Sequence, residues 1–316
     1  MTQRVHVVAA VIRNAQQEIL LALRPTAKHQ GGLWEFPGGK CEADESPQEA
    51  LSRELYEELG IRIVAPQPLI QVRHDYPDLQ VLLDVYEVQS FTGQAHGAEG
   101  QQVRWVAAAD LANYPFPAAN RSIVTAAQLP SRYLITPEHL TAAQLYAGVE
   151  QALAAGYRLI QLRAPQLTEA DYKNLAAALL KRCAGHAQLI LKGDLAWQNE
   201  FVGAGWHLTA GQLKALAGQG RPLAENRLLA ASCHNAEELQ WADDLQVDFV
   251  TLSPVLPTQT HPSAAALGWH IAEQLLRQFN PPTFLLGGLT EQNLEQARAV
   301  GGQGVAAIRG FWPQPL

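Results

Sequence analysis

The sequence predicts two domains in series, an α/β/α sandwich followed by a (β/α)8 barrel with a truncated last helix, so the fold class is α/β and α+β. Three observations carry this prediction. Strand-like segments surround one capped helix within residues 38–61, eight apolar segments alternate with amphipathic ones from residue 133, and the pattern changes near residue 131. We therefore expect domains at residues 1–130 and 131–316.

The composition is that of an ordinary globular protein. The chain has 316 residues, 47% of them hydrophobic, which is enough for two cores. Its net charge of -7 offers no general basic field, so we expect no nucleic-acid partner. The three cysteines are scattered without a zinc spacing, and no run approaches the roughly twenty apolar residues of a membrane span. The N-terminus also lacks a signal-peptide pattern, so we expect a cytoplasmic protein that binds no membrane.

The first domain begins with strand-like segments. Residues 4–13 and 18–24 are apolar and β-rich and are separated by a polar turn, which predicts a hairpin. A short extended run at residues 33–36 leads into the glycines before the helix. Further strands are predicted at residues 69–74, 79–88 and 102–106, with a turn at 76–78. Strands should therefore surround a single helix.

That helix has clear sequence signals at both ends. Ser46 is the expected N-cap, Pro47 occupies the first helical position, and Glu49 can close a capping box. Gly60 supplies the stop. Between these ends Leu51, Leu55 and Leu59 form one apolar stripe.

A second stripe of the same helix carries three glutamates, Glu54, Glu57 and Glu58. Carboxylates at this spacing repel one another and require a compensating cation, and oxygen-only ligands favour Mg²⁺ or Mn²⁺. A merely solvated acidic surface is the alternative. It does not explain the fixed spacing, which runs Gly39, five residues, Glu45, seven residues, Arg53-Glu54-Leu55, one residue, Glu57-Glu58, one residue, Gly60-Ile61.

This pattern resembles the Nudix box, so residues 1 to about 130 look like a Nudix hydrolase domain. The stretches at residues 33–40, 98–101 and 116–120 are similar to the MutT-type enzymes that hydrolyse 8-oxo-dGTP. The resemblance implies attack at the β-phosphorus of an oxidised purine nucleoside triphosphate. The products would be the monophosphate and pyrophosphate, and the role would be nucleotide-pool sanitation.

The resemblance also implies roles for individual residues. It places metal binding at the Gly38 carbonyl, Glu54, Glu57, Glu58 and Glu99, phosphate contact at Arg24, and purine contact at Asn120 and the Phe36 backbone. Each role has a structural alternative, since Glu99 could be a simple loop carboxylate, Asn120 a helix N-cap and Phe36 a core residue.

The catalytic assignments within the box stay partly open. The general base could be Glu54 or Glu45, which the sequence does not separate. Arg53 stands four residues before Glu57, a spacing that suits an orienting ion pair better than a substrate contact. No basic side chain is present at Leu79 or Gln80, where some MutT members carry one.

The second domain shows eight strand-like segments, namely YLITP, LIQLRAP, QLILKG, GWHLT, LLAASCH, FVTLSPV, TFLLGGL and GVAAIRG. Alternation with helices predicts a (β/α)8 barrel. Because the chain stops six residues after Gly310, we expect either a slightly open barrel or one closed by the first domain.

Polar residues gather at the predicted carboxyl ends of these strands, where barrel chemistry is located. The segments QLR, SPVLPTQTHP, GGL and GVAAI are similar to those of thiamine-phosphate synthase and its relative TenI over most of residues 133–310. A phosphorylated ligand would then be bound by Arg163, Thr258, Thr260, Gly287, Gly288 and Arg309.

The same segments depart from the synthase pattern. Pro165 and His261 stand where the synthase has lysines, the stretch at 209–213 has no acid, and Asp194 is the one remaining candidate metal ligand. We therefore expect a ligand-binding or scaffolding barrel rather than a synthase. His207 and His234 are interpreted as hydrogen-bonded histidines at strand ends.

The leading functional hypothesis is a Mg²⁺-dependent 8-oxo-dGTP diphosphatase fused to this barrel. A second hypothesis makes the first domain a binding sensor and gives the chemistry to the barrel, which would suit an eroded box, whereas this box is intact. A third keeps hydrolysis but changes the substrate to another nucleoside triphosphate or a thiamine-related pyrophosphate, with an active barrel.

Overall fold

The computed structural model describes residues 3–26, 30–75, 79–258 and 265–313. The chain divides into two compact units, Met1–Gln128 and Leu129–Leu316, close to the expected boundary. The predicted turn at 76–78, together with Thr260 and His261, lies outside the described residues. No helix of the described residues is long and apolar enough to cross a membrane.

The first unit is the predicted α/β/α sandwich. Its elements are β1 (Gln3–Ile12), β2 (Ile19–Leu23), β3 (Trp34–Glu35), β4 (Gly38–Lys40), α1 (Pro47–Leu59), β5 (Arg62–Ile63), β6 (Gln67–Asp75), β7 (Leu79–Val88), β8 (Phe91–Thr92), β9 (Val103–Val106) and α2 (Arg121–Gln128), with 3₁₀ helices at Ala108–Asn113 and Ala118–Asn120. The strands form three sheets, ordered β4-β1-β7-β6, β3-β2-β9 and β5-β8. β1 and β7 are parallel.

The predicted hairpin of residues 4–13 and 18–24 is wrong. β1 pairs with β4 and β7, β2 pairs with β3 and β9, and the two strands share only an isolated bridge between Arg13 and Ile19. The reason is that β1 is buried on both faces and therefore serves as a central strand. Val8, Ala10 and Ile12 pack on the side of α1, whereas Ala9 and Val11 pack on the side of α2.

Helix α1 begins and ends where the sequence predicts. The Ser46 hydroxyl accepts a hydrogen bond from the Glu49 N–H, the reciprocal half of the capping box is present, and Gly60 closes the helix at φ +69°. Leu51, Leu55 and Leu59 are fully buried against the sheet. Packing and caps together fix which face of α1 carries the glutamates.

The second unit is a closed eight-stranded parallel barrel, as predicted. Its strands are β10 (Arg132–Ile135), β11 (Leu159–Leu162), β12 (Gln188–Leu191), β13 (Gly205–Leu208), β14 (Leu229–Cys233), β15 (Phe249–Leu252), β16 (Thr283–Leu285) and β17 (Gly304–Ala307). The α-helices are α3 (Ala142–Ala154), α4 (Glu169–Cys183), α5 (Ala210–Leu216), α6 (Ala236–Asp244), α7 (Gly268–Leu276) and α8 (Leu294–Ala299), and 3₁₀ helices lie at Leu195–Glu200 and Glu291–Asn293.

The barrel closes through its own first and last strands. β10 pairs in parallel with β17, so the barrel is not open and its ring of strands is complete without the first domain. Inside the ring, Tyr133, Phe249 and Phe284 meet at centroid distances of 5.4 to 5.6 Å. These rings fill the centre of the barrel.

Two aromatic side chains occupy the place of the missing last helix. Within the part of the chain that the structure describes, no α-helix follows β17. Instead Trp312 packs over Gly148 of α3, where a β-carbon would lie 2.0 Å from the indole ring. Phe311 contacts Tyr157 with ring centroids 5.5 Å apart. The truncated end therefore covers the barrel core with aromatic side chains rather than with a helix.

This packing predicts the effect of substitutions at Gly148. Gly148→Ala should destabilise the barrel by about 1–3 kcal/mol through overpacking, although alanine is favoured over glycine in a helix by about 1 kcal/mol. In a Trp312→Ala background, itself destabilised by about 3–5 kcal/mol, the same change should become neutral or stabilising. Urea unfolding followed by circular dichroism measures both. An equal effect of Gly148→Ala in the two backgrounds would contradict the contact.

Candidate active site

The two glycines before α1 are required by close contacts. Gly38 has φ +150° and lies across from Ala9 on β1, where a β-carbon would come within 2.1 Å of the Val8 carbonyl oxygen. At Gly39 a β-carbon would lie 2.1 Å from a carboxylate oxygen of Glu54. The absence of a side chain at Gly38 therefore lets β4 lie close to β1, and its absence at Gly39 leaves room for the Glu54 carboxylate beside the backbone.

Arg53 joins the carboxylates of the box. Its Nη2 lies 2.6 Å from Glu45 Oε1, and its Nη1 lies 2.8 Å from Glu54 Oε1 and 3.3 Å from Glu57 Oε2. Nη2 also donates to the Lys40 carbonyl at 3.1 Å. The guanidinium lowers the pKa of Glu45, which also accepts a hydrogen bond from the Glu42 N–H. One side chain thus fixes the helix, the preceding loop and β4.

Glu58 stands apart from this network. Its carboxylate accepts a long hydrogen bond from the Gly38 N–H at 3.3 Å and has no cationic partner among the described residues. Burial, followed by the charges of Glu35, Glu54 and Glu99, raises its pKa to about 7, although the Gly38 N–H acts in the opposite direction. Glu58 is therefore a partly buried carboxylate in a negative field.

The loop that carries Glu99 is tied to the end of α1. Ala98 N–H and the Gln101 side-chain amide both donate to the Glu58 carbonyl at 2.9 Å, and His96 N–H donates to the Leu59 carbonyl at 3.2 Å. These bonds satisfy carbonyls that the helix end would otherwise leave open. They also explain why the charge of Glu99 reaches Glu58.

The donor set fits a hard divalent cation. It consists of carboxylates, and one of them, Glu58, lacks a counter-ion. As the side chains stand, no group of three His, Cys, Asp or Glu side chains in the described ranges is close enough to hold a metal ion. The reason is that Glu54 and Glu57 are turned toward Arg53. A cation at this patch would have to draw them from the guanidinium.

The residues expected to contact substrate lie near β3, with Arg24 paired to Glu35 and Phe36 packed on Phe116. Arg24 Nη1 forms an ion pair with Glu35 at 2.6 Å, on the strand that leads into the box. The ring of Phe36 is 4% exposed and stacks on Phe116 at 5.5 Å, so this side chain is part of the core. The loop before Asn120 is held there as well, since Trp34 N–H donates to the Pro115 carbonyl at 2.9 Å.

Asn120 is 8% exposed, at the end of the 3₁₀ helix Ala118–Asn120. Its carboxamide makes no hydrogen bond to any residue that the structure describes, so it does not cap α2. A carboxamide has both donors and an acceptor, and neither polar atom of Asn120 is among the fully buried side-chain atoms without a partner, so both reach solvent. This side chain is therefore suited to a polar ligand.

The barrel residues expected to bind phosphate lie at the carboxyl ends of the strands. Gly287 and Gly288 have φ +105° and +68°, and the loop they form packs closely on residues 254–257. Thr290 and Gly310, from the loops after β16 and β17, line one shallow pocket. Thr258 lies in the loop after β15 and Arg309 in the loop after β17, while Arg163 is paired with Glu138 at the end of β11.

Sequence reasoning missed one contribution to the first site, the negative charge that Glu35 adds at Glu58. No spacing rule points to Glu35, because it acts from β3 on a residue of α1. Asp194, the candidate metal ligand of the barrel, caps the 3₁₀ helix Leu195–Glu200 by accepting from the Ala196 N–H at 3.0 Å. Lys192, at the end of β12, donates to Ser232 inside the barrel.

A glutamate-bearing helix behind a glycine loop and a closed parallel barrel define a two-domain protein with a Nudix-type site. A NUDIX domain family model matches residues 8–126, and a Thiamine monophosphate synthase family model matches residues 132–311. The chain therefore belongs to the Nudix family through its first domain, as a pyrophosphohydrolase, and to the thiamine monophosphate synthase family through its second.

Curated relatives match the two domains separately. The first domain is 39% identical over 98 residues to 8-oxo-dGTP diphosphatase of Proteus vulgaris, covering 31% of this chain and 88% of the relative. It is 37% identical over 122 residues to CTP pyrophosphohydrolase of Escherichia coli, covering 39% and 90%. The second is 35% identical over 191 residues to a thiamine-phosphate synthase homologue of Geobacter sulfurreducens, covering 58% and 88%.

The environment of Glu58 predicts a pH-dependent stability. Its folded pKa of about 7 lies above the ordinary value of 4.5, so the fold favours the protonated form. That contribution is fully present below about pH 4.5 and is lost as the pH rises through about 7. In chelator, Glu58→Gln should gain stability over the parent chain between pH 5 and pH 8, by at most about 3 kcal/mol. Denaturant unfolding at both pH values measures this, and a pH-independent difference would contradict it.

Proposed function

We propose that the first domain hydrolyses oxidised purine nucleoside triphosphates such as 8-oxo-dGTP to the monophosphate and pyrophosphate, and thereby removes mutagenic nucleotides. The observation that carries this proposal is the Asn120 carboxamide, which reaches solvent from a mostly buried residue and makes no hydrogen bond within the described part of the chain. Such a group can pair with a purine edge that presents both a donor and an acceptor, and it is left unpaired by a wrong base. The similarity to 8-oxo-dGTP diphosphatases supports the same substrate.

The residues proposed to hold the metal are the Gly38 carbonyl, Glu54, Glu57, Glu58 and Glu99. Mg²⁺, or Mn²⁺ in its place, would neutralise charge on the phosphate oxygens and make a water molecule more acidic. The Glu58 carboxylate, which has no cationic partner among the described residues, supports the assignment. Burial and then the neighbouring carboxylates raise its pKa, and a cation would stabilise its charged form against both. Glu57, half exposed and only weakly paired with Arg53, is free to turn toward such an ion.

The chain's own residues would then orient the substrate and move one proton. Arg24 would bind a phosphate, the Phe36 backbone and Asn120 would fix the base, and a carboxylate would take the proton of the attacking water. The water oxygen would add to the β-phosphorus as the bond between that phosphorus and the oxygen bridging to the α-phosphate breaks. The water oxygen would then be found in pyrophosphate, and the bridging oxygen would stay on the monophosphate.

Of the two candidates for the base, we favour Glu54. Arg53 donates to both carboxylate oxygens of Glu45, from Nη2 at 2.6 Å and from Nε at 3.1 Å. These bonds lower the pKa of Glu45, so Glu45 is a weak proton acceptor, and its role is to position Arg53. Glu54 lies against the Gly39 backbone and makes one contact to Arg53. Arg53 is then a positioning residue that acts through these carboxylates.

A second candidate substrate is CTP or another pyrimidine nucleotide. An identity of 37% to CTP pyrophosphohydrolase over 122 residues, against 39% to 8-oxo-dGTP diphosphatase over 98, does not separate the two substrates.

For the barrel we propose a ligand-binding role toward a phosphorylated small molecule, with Gly287, Gly288, Thr258, Thr260, Arg309 and Arg163 as the phosphate-binding residues.

Asn120→Ala tests the substrate assignment. The change should lower kcat/KM for 8-oxo-dGTP by about tenfold to hundredfold, since two hydrogen bonds to the base are lost, and should affect dGTP less. The exposed Asn113→Ala serves as the matched control and should change neither. Steady-state assays with 8-oxo-dGTP, dGTP and CTP decide the matter. Equal parent rates on 8-oxo-dGTP and dGTP would exclude the proposal, and a preference for CTP would establish the second candidate.

Glu57→Gln tests the metal assignment. It should reduce hydrolysis at least about a hundredfold without unfolding the domain, whereas Glu237→Gln on the barrel surface should not. Turnover in ¹⁸O-water should place the label in pyrophosphate. Label in the monophosphate would show attack at the α-phosphorus instead, and full activity of Glu57→Gln would remove this residue from the metal site.

A further inference from the structure

A chain of hydrogen bonds crosses the inside of the barrel near its carboxyl end. The Gln161 amide donates to the Tyr133 hydroxyl at 2.7 Å, and that hydroxyl lies 3.2 Å from His207 Nδ1. His207 Nε2 lies 2.9 Å from Ser232 Oγ, which accepts from Lys192 Nζ at 2.8 Å. The chain links β10, β11, β12, β13 and β14 and ends on an ammonium group.

That ammonium has no acidic partner. Ser232 is the one group in the described residues that takes a hydrogen bond from Lys192 Nζ, and two further N–H donors remain. Arg163, directly after β11, is the charge that acts on it, and its guanidinium is already paired with Glu138. Burial, followed by Arg163, lowers the pKa of Lys192 to about 8, so at neutral pH a positive charge stands uncompensated.

A second polar side chain inside the barrel, next to Ser232 on the neighbouring strand, makes no hydrogen bond within the described residues. Thr251 is 1% exposed, and its Oγ1 makes no hydrogen bond within the described ranges. It pairs in register with Ser232 and lies two residues after Phe249, whose ring is inside the barrel. Because side chains alternate along a strand, Thr251 faces the same interior as Ser232. Two hydroxyl groups and an ammonium therefore face one region.

This region opens to solvent. Arg163, Lys192 and Ser232 are each partly exposed, whereas Thr251, Gln161 and His207 are buried beneath them. The arrangement is rich in donors and positive charge and poor in acceptors, which is complementary to an oxyanion.

We propose that the barrel holds a phosphate-type oxyanion of a small molecule directly on Lys192 and Ser232, without a divalent metal ion. The proposal rests on the ligand-binding role proposed for the barrel and extends it to a second subsite, at the carboxyl ends of β12 and β14. Lys192 supplies the positive charge that a metal ion would otherwise bring. Burying it without a counter-ion costs stability in the free protein, a cost that the bound anion offsets.

Calorimetric titration of the full chain with inorganic phosphate in EDTA tests the proposal. The parent chain should bind phosphate equally well with EDTA and with Mg²⁺. Lys192→Gln should weaken binding about tenfold to hundredfold, Lys192→Arg should retain part of it, and the exposed Lys181→Gln should have no effect. Lys192→Gln should also raise the thermal midpoint of the ligand-free barrel, whereas removal of a merely structural lysine would lower it.

The pH dependence gives an independent readout. Sulfate keeps its charge, so its affinity should fall as the pH rises through about 8, when Lys192 loses its proton. The other titratable groups that face Lys192 do not change their charge as the pH rises through about 8, so they would not produce this fall in affinity. Arg163 stays charged, while His207, its pKa lowered by burial and by Lys192, and Tyr172, its pKa raised by burial, stay neutral.

Several results would overturn the inference. Phosphate binding that requires Mg²⁺ would do so, as would unchanged binding by Lys192→Gln. If binding survives Lys192→Gln but is lost in Gly288→Ala, the proposed ligand-binding role of the barrel stands and this subsite falls. If no phosphate binds under any condition, both fall.

Discussion

The guanidinium of Arg53 is the interaction on which the first domain's site depends. It holds Glu45 from the loop, Glu54 and Glu57 from α1 and the carbonyl of Lys40 from β4, so three segments meet at one cation. Helix-face carboxylates at this spacing would otherwise repel one another. Because one fixed cation cannot compensate every carboxylate around it, Glu58 remains unpaired, and the patch keeps the capacity to take a second cation.

The two candidate sites, one in each domain, carry local charge imbalances of opposite sign. In the first, carboxylates outnumber cations, and Glu58 lies in a field set by Glu35, Glu54 and Glu99. In the barrel, the Lys192 ammonium lies among neutral hydroxyl groups. Uncompensated charge is unfavourable in a partly buried place, so each imbalance indicates the kind of ligand that would relieve it. A divalent cation suits the first site and an oxyanion suits the second.

Local signals in the sequence were sufficient for the elements they govern. Ser46, Pro47, Glu49 and Gly60 set both ends of α1, because caps act within one turn of the chain. The hairpin failed for a non-local reason. Whether β1 pairs with β2 or with β7 depends on which faces are covered, and β1 is covered on both by helices far along the chain.

By itself the sequence determined the two families, the barrel's eight strands and the chemical identity of the box, since these depend on residue types at fixed spacing. The tertiary structure decided what those residues meet. It turned Glu54 and Glu57 toward Arg53, placed the Glu54 carboxylate against Gly39, left the Asn120 carboxamide without a hydrogen bond to any described residue and set Lys192 beside Ser232. These contacts join positions far apart in the chain, and their energies depend on burial and distance, which no local pattern specifies.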